Sequence, residues 1–429
     1  MNRPRSTRAA HLLAAVTLFL FAPAARVAAQ QPVTRADAQR AALAAGPRVA
    51  LARADTAAAR AALLTARALA NPSLAATYSK SPPRQHVILD IPVDAPWSRG
   101  PRVSAANATV RASRLRFLSE RAAAVVEVDT TYTMALAAHA RTRLSRQTAR
   151  DANSLRAMTA ARRDAGDASD LDVDLATITA GQQSNAAAAD SLAHVNAVLT
   201  VQTLMGMAAD SAAIVLADSL DLTGAEGGAL RRVDSTAATG AAFVPPDAAM
   251  ALATPAVQAA EASLQAAELA VTRERRSVLG SPSLQLGVEW GEPGADNPNK
   301  ALPLIGVSLP LPLLNRNRGP IAQAQAERDR ARADLTLVRL VMRQRLIEGL
   351  RERESLRARV ARDQDLVARA ERVATKSLTA YREGASALPA VLEARRTARE
   401  VLGQYIDDLA ALLTIESELR ALIQTVPPQ

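Results

Sequence analysis

The spacing of apolar residues changes abruptly in the second half of the chain. Over residues 305–309 apolar side chains alternate with small or polar ones, which is the period of a β-strand with one covered face. After Pro320 no proline occurs until Pro389, and apolar residues recur mostly at steps of 3, 4 or 7. That narrow stripe predicts a coiled-coil-like helix, and about 60 residues at 1.5 Å each reach roughly 90 Å. The stripe consists of Leu346, Leu350, Leu356, Val360, Val367, Ala370, Ala374, Leu378 and Tyr381.

Strand-like alternation also occurs in three other short segments. Residues 283–290 precede the segment just described, and residues 73–79 and 86–91 form a similar pair in the first half. Loops containing proline separate the members of each pair, so the sequence predicts two β-hairpins, at 73–91 and 283–309. In the second hairpin one face carries Leu284, Leu286, Val288 and Trp290, and the other carries Gln285, Gly287 and Glu289.

Sequence landmarks recur in the same order in both halves. Asn71-Pro72 corresponds to Ser281-Pro282, and Gly166 corresponds to Gly384, with spacings of 210–219 residues. This order predicts a tandem duplication in which each repeat contains a helix, a β-hairpin and a long helical hairpin. The helical hairpins would reverse near residues 166 and 384. The predicted segments are a first repeat over 30–205, a linker over 206–246 and a second repeat over 247–429.

A short motif stands between each predicted hairpin and the long helix after it. The motif is Arg99-Gly100-Pro101 in the first half and Arg318-Gly319-Pro320 in the second. Glycine accepts unusual backbone angles, and proline suits the first turn of a helix. We therefore expect strand-to-helix turns at Gly100, Pro101, Gly319 and Pro320.

The predicted strands have the length and polarity of membrane-spanning β-strands. Strands of roughly 8–10 residues can cross a bilayer when tilted, with an apolar face toward lipid and a polar face toward water. Tyr78 and Trp290 lie near strand ends, where an aromatic girdle would be. Four strands cannot close a barrel, and open edges are not tolerated in hydrocarbon, so the chain is expected to share a barrel with copies of itself. Three copies would give twelve strands, within the usual range of even-numbered barrels. The strands alone also fit two soluble hairpins that cap a helical rod.

The N-terminus has the pattern of a signal peptide. Arg3, Arg5 and Arg8 precede a short apolar segment, and small residues end it near position 29. We therefore expect residues 1–29 to be removed on export, although a retained anchor fits the same pattern. The chain has no cysteine, which excludes disulfides and an acylated lipobox cysteine. Aromatic residues make up only 2% of it, as in long helices rather than in an enzyme core.

The formal charge of +10 does not indicate nucleic-acid binding. Arginines alternate with acids, as over residues 351–354, which is typical of a solvated helix face, and no aromatic platform accompanies them. The four histidines lack metal-ligand spacing, and Asp170, Asp172 and Asp174 lack the glycine and glutamate of a calcium loop. Nucleophile and phosphate-loop motifs are also missing. We therefore expect no catalytic, cofactor or metal site.

The arrangement of hairpins and long helices resembles the TolC-like outer-membrane efflux factors over nearly the whole exported chain. The most specific match is residues 307–321, VSLPLPLLNRNRGPI, followed by AQAQAE, and it is most similar to the heavy-metal branch of CzcC and CusC. Tyr381-Arg382-Glu383-Gly384 matches the tip at which the long helices of the family reverse.

This resemblance implies a homotrimer in the outer membrane of a Gram-negative type of envelope. Twelve strands would form a β-barrel in the lipid, and twelve helices would form a hollow α-barrel in the periplasm, closed at its lower end until a partner opens it. The implied partners are a periplasmic adaptor and an inner-membrane pump, which supplies the energy. The adaptor would contact tip residues Gly166, Asp167, Gly384 and Ala385.

The family commonly narrows its pore with carboxylates just after the second tip. The corresponding positions here are Ala390 and Glu393, and the first half has Asp172 at the equivalent of Ala390. We therefore expect Asp172 or Glu393 to line a cation-attracting constriction. The alternative is that these acids stabilise helix N-termini.

Two other functions were weighed against an efflux or type I secretion channel. A periplasmic adaptor or scaffold would have one helical hairpin between small β-rich domains, whereas two helical hairpins are predicted here. A soluble coiled-coil protein would not need paired alternating strands. The sequence does not identify the substrate, the pump or the adaptor.

Overall fold

The computed structural model describes residues 31–81, 84–208, 210–220, 254–290 and 301–423. The expected signal peptide and most of the expected linker lie outside these residues. The predicted class, mainly helical with a few antiparallel strands, is confirmed. The elements are β1 (Gln31–Val33), α1 (Arg35–Ala45), α2 (Pro47–Arg67), β2 (Ser73–Tyr78), β3 (Gln85–Pro92), α3 (Pro96–Asp164), α4 (Asp170–Leu204), β4 (Ile214–Leu216), α5 (Pro255–Arg276), β5 (Ser283–Trp290), β6 (Leu302–Ser308), α6 (Arg318–Arg382) and α7 (Leu388–Ile423).

The first helical segment begins as predicted but is interrupted. Thr34 is the N-cap of α1 and forms a capping box with Asp37, whose side chain accepts a bond from the Thr34 backbone N–H. The helical character of the sequence over residues 34–70 predicts a single helix, and that prediction is wrong. Gly46 adopts an extended conformation, and Pro47 lacks the N–H that would continue α1, so α2 begins as a new helix at Pro47.

The strand-to-helix turns differ from those expected. α3 already begins at Pro96, so Gly100 and Pro101 lie within the helix, and Gly319 and Pro320 lie in the first turn of α6. The unusual backbone angle belongs instead to Asn317, whose φ of 56° is left-handed. Its side-chain amide donates to the Glu274 carbonyl oxygen at 2.9 Å and lies 2.9 Å from the Ser277 hydroxyl oxygen. These bonds fix the start of α6 against the end of α5.

The strands and helices follow the same lateral order. The main sheet is antiparallel with the order β2-β3-β5-β6, so the pairing of β3 with β5 joins the two predicted hairpins. Near the β-hairpins, α2 packs on α3, α3 on α5 and α5 on α6. Toward the tips the order becomes α4, α3, α7 and α6. The chain is thus a layer that begins with β2, α2 and α4 and ends with β6 and α6.

The largest core lies around Tyr132 on α3. Its ring is fully buried, and its hydroxyl oxygen lies 2.8 Å from the Val33 carbonyl oxygen and 2.9 Å from Asp218 Oδ2. Val33 belongs to β1, which pairs in parallel with β4, a short sheet that was not predicted. Asp129, one turn before Tyr132, binds Arg35 NH1 at 2.6 Å and accepts from the Ser417 hydroxyl. This network joins α1, α3 and α7.

A histidine pair lies between α3 and α4. The rings of His139 and His194 meet edge to face with centroids 4.9 Å apart, and His194 Nδ1 is buried without a hydrogen-bond partner among the described residues. Burial lowers the pKa of both imidazoles, and for His139 the charges of His194, Arg143 and Arg146 lower it further. The pair is therefore still neutral at the pH at which a histidine with the ordinary pKa begins to take up protons.

We expect the thermal unfolding midpoint to fall as pH drops below about 6.5, because there the unfolded chain binds protons that the folded pair does not. Replacing both histidines, His139→Leu with His194→Leu, should flatten this dependence between about pH 7 and pH 5. His86→Gln is the matched control, because His86 lies outside the pair. Equal pH dependence in the double variant and the wild type would contradict the assignment.

Candidate functional site

One face of the main sheet is apolar except for Gln85 at its loop end. Directly paired residues of an antiparallel sheet project to the same side, and Leu74, Leu89, Leu286 and Ile305 form one such row. Several of these side chains are largely exposed, including Leu74 at 71% and Ile305 at 77%. A soluble domain would cover such a face. The face also includes Ala76, Tyr78, Val87, Ile91, Leu284, Val288, Trp290, Pro303 and Val307.

The opposite face is mixed and largely polar. His86 Nδ1 lies 3.5 Å from Glu289 Oε2, and the Ser283 hydroxyl donates to Asp90 Oδ1 at 2.7 Å. Ile88 pairs with Gly287 and interrupts the polar rows with an apolar one. The four strands contain no lysine or arginine. This face therefore suits contact with water, and its fixed charges are carboxylates.

Aromatic side chains mark the two ends of the sheet. Tyr78 and Trp290 both pair with Gln85, so they stand in one row at the loop end. Trp97, in the first turn of α3, is 41% exposed near the opposite end. The only two tryptophans of the chain therefore flank the sheet. Tryptophan and tyrosine prefer the boundary between hydrocarbon and water.

The helical hairpins reverse at the two predicted glycines. Gly166 has φ 85° and Gly384 has φ 76°, a left-handed conformation that glycine adopts without steric cost. The backbone N–H groups of Asp167 and Ala385 then donate to Arg162 and Ala380 carbonyls, each at 2.8 Å. Both tips are therefore compact turns of the same type.

The two tips are attached to each other within the chain. The Arg162 guanidinium lies over the Tyr381 ring, 4.6 Å from its centroid, and donates to the Tyr381 carbonyl oxygen. The Tyr381 hydroxyl oxygen is 3.1 Å from Thr159 Oγ1. A small core of Leu155, Ala176, Tyr381, Leu388 and Val391 lies behind these contacts. Sequence reasoning missed this attachment, because its partners are 219 or more positions apart.

The two candidate constriction acids already have local partners. Asp172 accepts from the Ser169 hydroxyl at 2.8 Å and from the Ser169 N–H at 3.1 Å, closing a capping box at the start of α4. Glu393 is exposed and accepts from Arg396 Nε at 2.9 Å and from its terminal nitrogen at 2.8 Å. The Arg396 hydrogen bond lowers the pKa of Glu393. Their place in a pore constriction stays a prediction.

The two outer helices of the layer carry opposite charge. α4 contains four aspartates and no lysine or arginine. α6 contains sixteen lysines and arginines against nine acids. Exposed apolar side chains accompany these charges on both helices, including Ile178 and Leu192 on α4 and Leu366 and Val373 on α6. The two edges are therefore complementary in charge and similar in apolar character.

The described ranges contain no cluster of three or more histidine, cysteine, aspartate or glutamate side chains able to hold a metal ion. None of the helices described is both long and apolar enough to span a bilayer.

The fold is that of TolC-like outer-membrane channels. A membrane protein from Pseudomonas aeruginosa aligns with 20% identity and a TM-score of 0.72, covering 91% of this chain and 90% of that one. The outer membrane protein VceC from Vibrio cholerae aligns with 15% identity and a TM-score of 0.71, covering 91% and 96%. CusC, whose structures concern transmembrane channel formation, aligns with 15% identity and a TM-score of 0.71, covering 91% of this chain and 92% of that one.

The sequence itself supports the same family. Residues 249–424 match the family described as outer membrane efflux protein, which consists of channel proteins rather than enzymes. No curated protein matches the chain. The predicted resemblance to TolC-like efflux factors is therefore confirmed, whereas CusC and VceC fit equally well by TM-score and do not single out the heavy-metal branch.

Proposed function

We propose that the chain is one subunit of a trimeric outer-membrane efflux channel, a passive conduit from the periplasm to the exterior. The observation that carries the proposal is the shared lateral order of strands and helices. Both layers end on the same two sides, with β2, α2 and α4 on one side and β6 and α6 on the other. Such a layer closes when the last edge of one copy meets the first edge of the next.

The sheet geometry supports three copies. β2 runs toward the loop end and β6 runs away from it, so β6 of one copy would pair in antiparallel fashion with β2 of its neighbour. Three sheets of four give twelve strands, within the range of even-numbered membrane barrels. The apolar face would contact lipid, and the face with Asp90 and Glu289 would line the lumen. Pairing every edge satisfies the backbone, as hydrocarbon requires.

Charge complementarity favours the same head-to-tail arrangement of helices. The acidic α4 of one copy would stand beside the basic α6 of the next, with the exposed apolar residues of both between them. Complementary potentials of this kind fix orientation and suppress wrong pairings. The helices would then continue the barrel as a hollow periplasmic cylinder.

The family resemblance supports the wider assembly. We infer that an expected signal peptide directs export, and that a periplasmic adaptor contacts Gly166, Asp167, Gly384 and Ala385 at the tips and links the channel to an inner-membrane pump. Both tip pairs lie in exposed turns at the end far from the sheet. The competing function, a periplasmic adaptor or scaffold, does not account for the exposed apolar face of the sheet.

The assembly is tested by the protein mass of the particle extracted from outer-membrane fractions in mild detergent. We expect light scattering to give three chains per particle. A monomer that remains in the soluble periplasmic fraction would contradict the channel and favour the scaffold.

We also propose that Asp172 or Glu393 lines a constriction with three copies per trimer. Because Arg396 compensates Glu393, Glu393→Gln should lower cation preference and Arg396→Gln should raise it in bilayer recordings of reversal potential. Asp172→Asn tests the first half. Glu400→Gln, which removes another Arg396 partner farther along α7, is the control. Unchanged selectivity in Glu393→Gln and Asp172→Asn would contradict the ring.

Gly319→Val should reduce trimer assembly without disrupting the fold of the single chain. A Cβ at position 319 meets no atom of the described residues within 4 Å, so we expect the valine to clash with a neighbouring copy rather than with its own chain. The trimer fraction by native gel and helicity by circular dichroism would be measured together. Gly403→Val, at an equally open helical site, is the control. Normal trimer formation by Gly319→Val would show that this position is far from any neighbour.

A further inference from the structure

The segment between β6 and α6 presents leucines away from the chain. Leu309 is 55% exposed, Leu311 66% and Leu313 76%, and Leu314 is fully exposed. Pro310 and Pro312 alternate with them, and Pro310 packs so closely on Gly280 that a Cβ there would overlap it. Proline fixes its own φ and restricts the residue before it. The run is thus held against the chain on its proline side, with its leucines outward.

The leucine run continues the apolar face of the sheet. Ile305 and Val307 are the last apolar residues of β6 on that face, at 77% and 75% exposure, and Leu309 follows at the same two-residue spacing. The exposed apolar surface therefore does not end with the strand. It extends past the sheet toward the start of α6.

A neighbouring copy would leave this surface open. Addition of a neighbour's β2 beside β6 uses backbone groups along the strand edge, whereas side chains stand roughly perpendicular to the sheet. The leucines would thus remain on the outside of the closed ring. Their covering has to come from the medium around the barrel.

Basic side chains follow the leucines directly. Arg316 and Arg318 are exposed, and neither has an ion-pair partner among the described residues. Arginine beside an apolar segment can rest its stem on hydrocarbon and place its guanidinium among phosphates. Apolar residues followed by unpaired cations match the boundary between acyl chains and anionic headgroups.

We propose that residues 309–314, with Arg316 and Arg318, form a lipid-contacting anchor at the periplasmic boundary of the membrane. Its partner is phospholipid, with the leucines in the outer part of the acyl layer and the arginines at the phosphates. The inference rests on the proposed function, because it requires the sheet to lie in a bilayer. It adds to that function the position along the chain at which the bilayer ends.

The absence of cysteine permits a direct test in the full-length channel. Leu313→Cys would carry a small environment-sensitive fluorophore in liposomes of phosphatidylethanolamine and phosphatidylglycerol. Some lipids would bear a nitroxide quencher near the headgroup, and iodide would serve as the aqueous quencher. Ile305→Cys reports on the sheet face. Met134→Cys, also exposed but on the order of 60 Å along α3 from its start, is the control outside the membrane.

We expect nitroxide lipid to remove most of the emission at positions 313 and 305 and little at 134. If nitroxide lipid quenches the emission at 305 but not at 313, the anchor is overturned and the channel proposal stands. If the emission at 313 is then also protected from iodide, the leucine run is covered by a second copy instead of lipid. No quenching at 305 would contradict the proposed function itself. If the arginines bind anionic headgroups, phosphatidylglycerol should increase the nitroxide quenching at 313. The double variant Arg316→Gln with Arg318→Gln should abolish that increase, and an unchanged increase would exclude the arginines from the anchor.

Discussion

The outer edges of β2 and β6 carry backbone N–H and C=O groups that no strand of the described chain pairs. In water these groups would bind solvent, but in the proposed barrel they would lie in hydrocarbon beside the exposed apolar face of Ile305 and Val307. There each unpaired group costs roughly several kcal/mol. In that barrel the need to pair these edges requires copies to meet head to tail, and the helices must follow the order of the strands they continue.

The same constraint explains how the helices are distributed in the chain. The long helices α3 and α6 extend from the end of the sheet opposite its loops to the tips. The shorter helices α2 and α5 pack against them near the sheet, and α4 and α7 pack against them toward the tips. Each long helix therefore has different partners near the sheet and near the tip. Alanine is frequent at the buried positions, such as Ala105 and Ala108 on α3, which permits close helix approach. Close approach suits a wall one helix thick, in which the packing between neighbours has to supply most of the stability.

Local patterns predicted the elements that have a strict period. The strands were predicted because apolar residues alternate along them, and the tips were predicted because glycine favours the left-handed turns found at 166 and 384. The break at Gly46-Pro47 was missed because alanine-rich helical spacing continues on both sides of it. The turn before α6 was assigned to Gly319, although Asn317 adopts the left-handed angle. Asparagine tolerates that angle because its side chain bonds locally, here to the end of α5.

The parts of the site that depend on distant contacts could not be predicted from local spacing. The pairing of β3 with β5, the contact of Arg162 with Tyr381 and the meeting of His139 with His194 all join residues far apart in sequence. Ser169 precedes Asp172 at capping-box spacing, and the two residues form a capping box at the start of α4. Whether the charge of Asp172 also faces a pore depends on the position of neighbouring copies, which one chain does not specify.

The attachment of the tips restricts how the proposed channel would open. Arg162, Thr159 and the buried core around Tyr381 hold the two helical hairpins of one chain together, so separating them would expose apolar side chains and break a cation–π contact. The contact between α4 of one copy and α6 of the next would rest more on charge, and such contacts weaken with ionic strength and can be replaced by another charged surface. Opening would therefore separate neighbouring chains before it separated the hairpins of one chain. An adaptor that inserts between copies would then act on the boundary that is least costly to break, with each subunit moving as a unit.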